Sequence, residues 1–172
     1  MYASSDEAVA ENRLDYLHAT TKIVLTADVQ RLSFGGKTYE DLKKGTVLNV
    51  WNWVAEVLVS KGYAEHAPRP SLANQLMQVE WREKNNPADL QPLPKHFYAE
   101  VSSNIVADDY AAKKFMDIVT MRMMKIVSIA AKRLEGEIVR KMTPEEEVLY
   151  RNVFRVVDDW VRAVLSGRGG VA

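Results

Sequence analysis

Apolar residues recur along this chain at two periods, and the change falls near residue 70. Ahead of it they come in short runs punctuated by glycine, the habit of strands and turns. Beyond it they recur every three or four residues, the spacing of one helix face. In the first region, residues 22–26 form a β-branched run. Residues 29–34 form a second strand ending at Gly35-Gly36, a turn pair that tolerates positive φ. Lys43-Lys44-Gly45 marks another turn, and residues 46–50 a third strand. A short helix over about residues 52–61 is expected to bury Trp53, Val57 and Leu58, with Gly62 as its C′ stop. Residues 63–66 read as a short edge strand. The segment 67–71, APRPS, carries two prolines, which disfavour both helix and ladder pairing, and a domain boundary is expected there.

In the second region, Ser71 is placed to cap a helix over 72–85 whose apolar residues include Leu72, Leu76, Val79 and Trp81. Pro87 ends that helix, because the residue before a proline is pushed out of the α region. Leu93-Pro94 is expected to open another helix running to about Val106, with Phe97, Tyr98, Val101 and Ile105 as its stripe. Asp108 is placed to cap a long helix reaching about Gly136. Its helical-spaced residues are Phe115, Val119, Met123, Ile126, Val127, Ala130 and Leu134, and Ile118, Met121 and Met124 widen the stripe as if both sides were covered. The last helix has the clearest start: Thr143 caps, Pro144 occupies the first position, and Glu146 completes a capping box, with Glu145 and Glu147 at the positive end of the dipole. Leu149, Val153, Val156, Val157, Trp160, Val161 and Val164 follow on one broad face. Each such side chain is worth about 1.5–3 kcal/mol when fully buried, so this helix packs against its own domain, a partner, or both.

The fold class expected is α+β, a small N-terminal β-rich domain followed by a larger all-α domain. The divisions are an N-terminal extension (1–20) in which Ser5 can cap a short helix carrying Val9, Arg13 and Leu17, a β-rich domain (21–66), a linker (67–71), a helical domain (72–166) and a flexible tail (167–172).

Composition narrows the chemistry. A hydrophobic content of 47% is enough to fill a core, and 23 basic residues against 23 acidic ones leave no global field to draw nucleic acid or a membrane. With no cysteine there is no disulfide, thiol catalysis or cysteine-bound zinc, and an intracellular setting is expected. No apolar run approaches the ~20 residues of a membrane span. Asp6, Glu7 and Glu11 stand where a signal peptide would be basic and then apolar. His18, His66 and His96 lie in three different segments without metal-ligand spacing. Asp108-Asp109 and Asp158-Asp159 are adjacent pairs, which point to different helix faces and make poor acid/base partners. Gly35-Gly36 lacks the lysine and helix of a phosphate loop, and neither GxSxG nor HExxH occurs. A non-enzyme is expected, with no catalytic residues, cofactor or metal. The basic candidates for nucleic acid (Lys113-Lys114, Lys125, Lys132-Arg133, Arg140-Lys141) are interleaved with Asp117, Glu135 and Glu137, the pattern of a solvated mixed-charge face. Residues 46–66 resemble part of a winged helix but lack its tandem helix pair.

Residues 81–101, WREKNNPADLQPLPKHFYAEV, resemble the GINS family of replication proteins. The resemblance is carried by Trp81-Arg82-Glu83-Lys84, then Leu93-Pro94, then Phe97-Tyr98. A second match lies upstream, in LKKGTVLNV (42–50) followed by Trp53-Val54-Ala55, and is similar to the family's small β domain. Trp51 stands where relatives commonly open that helix with proline. The resemblance covers about residues 22–165. It implies a β-domain-first subunit of the archaeal type, which pairs with a helical-domain-first paralogue in a two-plus-two tetramer. It further implies a scaffold joining the MCM helicase to a RecJ-like partner, with DNA touched indirectly or weakly and no membrane. On that basis Met121, Met123, Met124, Phe154 and Trp160 are candidates for the subunit interface, since stable interfaces use aromatic and methionine anchors. The rival reading is a DNA-binding regulator that uses the β-plus-helix unit.

Overall fold

A computed structural model describes residues 4–105 and 108–166. It contains two compact units. One is Arg13–Pro70; the other gathers the chain from Ser71 onward together with the residues up to Asn12. A small β-rich part thus precedes a larger helical part, as the residue patterns required.

The first helix, α1 (Ser5–His18), is capped one residue earlier than expected. Ser4 accepts the Glu7 N–H through Oγ at 3.3 Å. The expected stripe of Val9, Arg13 and Leu17 is not the buried one; Asn12 and Tyr16, four apart, are buried instead.

In the β unit, β1 (Thr20–Leu25) is the central strand of a three-stranded antiparallel sheet ordered β4-β1-β5, with β4 at Val47–Trp51 and β5 at Ala64–His66. Alternation along β1 sends Ile23 and Leu25 into the core, and the register sets Thr20 opposite Trp51 and Ile23 opposite both Leu48 and His66. Helix α2 (Asn52–Ser60) lays Val54, Ala55 and Leu58 on that core. Trp53 and Val57, expected inside, are partly exposed on the flank of the helix. The segment is apolar on nearly every side, so periodicity gave no face, and a sheet this small covers only one. The helix stops at Gly62 as expected: Tyr63 N–H reaches Leu58 C=O (2.9 Å) and Gly62 N–H reaches Val59 C=O (2.9 Å).

A separate two-stranded ribbon joins β2 (Val29–Phe34) to β3 (Lys37–Leu42). The sequence reading missed β3. KTYEDL is mostly polar, and it is a strand because the Gly35-Gly36 turn folds it back on β2. Gly35 is needed twice over. Its φ is +55°, and a Cβ there would lie 2.4 Å from the Trp51 ring.

The helical unit holds α3 (Leu72–Asn85), α4 (Phe97–Asn104), α5 (Asp109–Ala131), a 3₁₀ segment (Gly136–Lys141) and α6 (Pro144–Ser166). Ser71 and Asp108 cap α3 and α5, accepting N–H groups of Asn74 (3.3 Å) and Ala111 (3.0 Å). One start and two ends differ from expectation. Pro94 belongs to a turn closed by Phe97 N–H to Pro94 C=O (3.0 Å), so α4 opens at Phe97; it ends at Asn104, and Val106 lies outside the described residues, as does the expected tail 167–172. Helix α5 ends at Ala131 rather than near Gly136. Arg133 takes φ +58° and Leu134 N–H returns to Ile129 C=O (3.1 Å), the same cap that Gly62 makes but built on an arginine. Helix α5 packs on α3 and on α6. Two apolar clusters result: Leu76, Phe97, Val101, Ala111 and Ile118 in one, and Leu90, Ile126, Ile129, Ala130 and Tyr150 in the other.

Candidate subunit interface

Ile118, Arg122 and Ile126 follow one another at every fourth residue of α5 and are all fully buried. The two isoleucines belong to the two apolar clusters, so a cation stands on the buried row between them. A buried guanidinium requires partners for its charge and its five N–H donors. Glu83 of α3 accepts from Nη1, as does the Gln91 carbonyl (2.8 Å). Glu146 of α6 accepts from Nε (2.6 Å) and Nη2 (2.8 Å) in a bidentate pair. Burial alone disfavours the charged guanidinium; the hydrogen bond and charge of Glu146, with the charge of Glu83, outweigh it and raise the Arg122 pKa above its ordinary value.

Glu146 is also the capping-box acid that the sequence pointed to. Its Oε2 accepts the Thr143 N–H (2.9 Å), and Thr143 Oγ1 stands 3.5 Å from the Glu146 N–H. Its Oε1 accepts the Tyr98 hydroxyl (2.5 Å). Burial raises the Tyr98 pKa, and the charge and hydrogen bond of Glu146 raise it further, so the phenol stays protonated. One carboxylate therefore starts α6, holds α5 and fixes α4.

Lys125, one turn past Arg122, closes the end of α3. Its Nζ meets Glu83 Oε2 (2.5 Å) and the carbonyls of Glu83 (2.8 Å), Asn86 (2.7 Å) and Asp89 (2.9 Å). Lysine at a helix C-terminus suits the dipole and supplies donors to orphan carbonyls. Glu80 is bonded to Lys114 (2.8 Å) and Lys84 (2.7 Å), which hold its pKa below the usual range. Asp89 is held low by its hydrogen bond to Lys141 (2.6 Å). Arg133 pairs with Asp158, and Arg140 with Glu137. Of the basic residues considered for nucleic acid, Lys114, Lys125 and Lys141 are thus engaged within the unit, Arg133 reaches the buried Asp158 from the surface, and Arg140 makes an exposed pair with Glu137. Asn12 completes the polar framework: its amide donates to Lys95 C=O (3.0 Å) and Glu145 Oε1 (2.5 Å), and its Oδ1 accepts from His96 Nδ1 (2.7 Å).

The outer surface is the reverse. On α6, Val156, Trp160 and Val164 follow at every fourth residue and are exposed, Trp160 by 66%, with Leu165 beside them. On α5, Met116, Met123, Met124 and Val127 are exposed, and on α3 so are Met77 and Trp81. Of the five interface candidates, Met123, Met124 and Trp160 face outward. Met121 and Phe154 pack into the unit's own clusters. Of the motif residues, Phe97 and Glu83 are buried, Leu93 and Tyr98 half-buried, and Pro94, Trp53 and Trp81 exposed. Arg122 was missed, although its place at the fourth residue from two isoleucines is readable. The described residues hold no cluster of three or more potential metal ligands, and no described helix is long and apolar enough to cross a membrane.

No curated protein matches the chain. Residues 72–165, more than half of it, match the family model Sld5, the GINS complex protein helical bundle domain. The segment matched is the helical unit that Arg122 ties together and whose apolar outer face is described above, and on that match the chain belongs to the GINS family, a subunit type of the GINS replication complex that assembles with other subunits of its kind.

Proposed function

We propose that this chain is a non-catalytic structural subunit of the archaeal, β-domain-first type. It pairs with a helical-domain-first paralogue in a two-plus-two tetramer, and the tetramer scaffolds the MCM helicase and a RecJ-like partner at the fork. The observation that supports it is the exposed apolar row Val156, Trp160 and Val164 on α6, which the helical unit leaves uncovered. A stable interface covers about 800 Å² per partner and centres on aromatic anchors. Trp160 has the size and exposure for that role, with the methionines of α5 as adaptable neighbours.

Light scattering after gel filtration tests it, on this chain alone and co-expressed with a helical-domain-first paralogue of the same genome. A complex of about two copies of each is the expected result. A monomer indifferent to the paralogue would overturn the reading and favour the DNA-binding alternative.

A further inference from the structure

The β2–β3 ribbon has one edge that faces a groove. Gly35-Gly36 is a two-residue turn, so the flanking pair Phe34↔Lys37 is hydrogen-bonded, and by alternation so is Leu32↔Tyr39. The intervening residues Ser33 and Arg31 therefore turn their backbone N–H and C=O groups away from β3. The short side-chain approach of Ser33 Oγ to Thr38 Oγ1 (3.0 Å) fits a non-hydrogen-bonded pair. No third strand joins this ribbon among the described residues. Beside β2 lies a groove of about 560 Å³, whose lining includes Arg31 and Leu32 of β2 and Val57, Lys61 and Tyr63 of α2 and the turn after it. Val57 and Tyr63 are both exposed there by nearly half.

Two features define the occupant. An open strand edge offers evenly spaced donors and acceptors that only extended backbone can match. The groove's lining carries more positive than negative charge: Arg31 and Lys61 make no ion pair among the described residues, Glu40 stands across the ladder from Arg31 but outside the groove, and Asp28, its one acid, is bonded to Lys44 N–H (2.8 Å) and Lys43 Nζ (3.1 Å). Those two bonds hold the Asp28 carboxyl below the usual range. A second copy of β2 fits poorly, because antiparallel pairing about this strand's centre brings Arg31 close to Arg31, and like charges across a ladder repel. We propose that the free edge of β2 takes up an extended segment of a partner protein. That segment alternates apolar side chains, set against Val57 and Tyr63, with acidic ones set against Arg31 and Lys61.

The test uses the full chain and a short synthetic peptide alternating valine with glutamate, with a valine–lysine peptide as its counterpart. The expected result is that the glutamate peptide slows hydrogen exchange at the Arg31 and Ser33 amides, while the lysine peptide does not. Lys61→Glu, an exposed change that leaves circular dichroism unaltered, should weaken binding by about tenfold. Ser33→Pro removes an edge donor and should abolish it. Failure of the glutamate peptide to slow those amides at millimolar concentration would overturn the proposal. So would equal binding of the two peptides, or a chain that doubles its mass without peptide and protects the same amides.

Discussion

The two units are stabilised differently. The β unit has one apolar cluster, from Ile23 to Ala64, and none of the chain's buried charges. Among its described residues the helical unit has two smaller clusters, with Arg122 on the buried row between them and Glu80, Glu83, Glu146 and Asp158 buried around its helices. Apolar burial is non-directional and tolerates repacking. A buried ion network has one geometry and is costly when half-made. The helical unit therefore trades tolerance for a fixed arrangement of α3, α4, α5 and α6. A fixed arrangement is what a surface needs if it is to present Trp160 and the α5 methionines in register to a partner.

The helical unit is most vulnerable at its buried cation. Arg122→Ala leaves Glu83 and Glu146 buried without their cation and should cost about 3–5 kcal/mol. Urea unfolding followed by circular dichroism at helical wavelengths would measure it; a loss near zero would mean that the network holds nothing. On the β side the largest backbone effect should be Gly35→Ala. Positive φ and the Trp51 ring together should cost about 1–3 kcal/mol, read as a loss of tryptophan fluorescence transition with helical content retained. Acid should act more gently and on both units, since Asp28 of the β unit is also held low; in the helical unit it acts through Glu80 and Asp89. Glu80 and Asp89 have pKa values lowered in the fold, so their contribution is present above their unfolded values of 4.5 and 3.8 and is lost as pH falls further. The melting temperature of the helical unit should drop in that range. A flat profile from pH 6 down to about 2 would remove those pairs from the stability of the unit.

Local signals were legible. Thr143, Pro144 and Glu146 announced α6, Gly62 ended α2, and Gly35-Gly36 marked the turn after β2, because caps and tight turns depend on neighbours a few residues away. Three features were hidden for the opposite reason. Arg122 is buried by acids 24 and 39 residues distant, so the sequence showed only a broad apolar stripe, covered on both sides, in which the exposed Met123 and Val127 were not told apart from the buried Ile118 and Ile126. Asn12 finds His96 and Glu145, 84 and 133 residues on, from a segment that resembled a loose extension. Arg133 stops α5 in a left-handed conformation that glycine would have advertised. The exposed row of α6 follows a similar rule: periodicity sorted Val156, Trp160 and Val164 onto one face without saying whether that face was inside.

Trp160→Ala is the measurement to make, with the solution mass of the co-expressed complex and the melting temperature read on the same sample. Because Trp160 is 66% exposed, its loss should leave the chain's own stability nearly unchanged, within about 0.5 kcal/mol, while the proposed tetramer falls to smaller species. An unchanged tetramer would contradict the assignment of α6 as the subunit contact. A large fall in melting temperature would place the residue in the core of the chain itself.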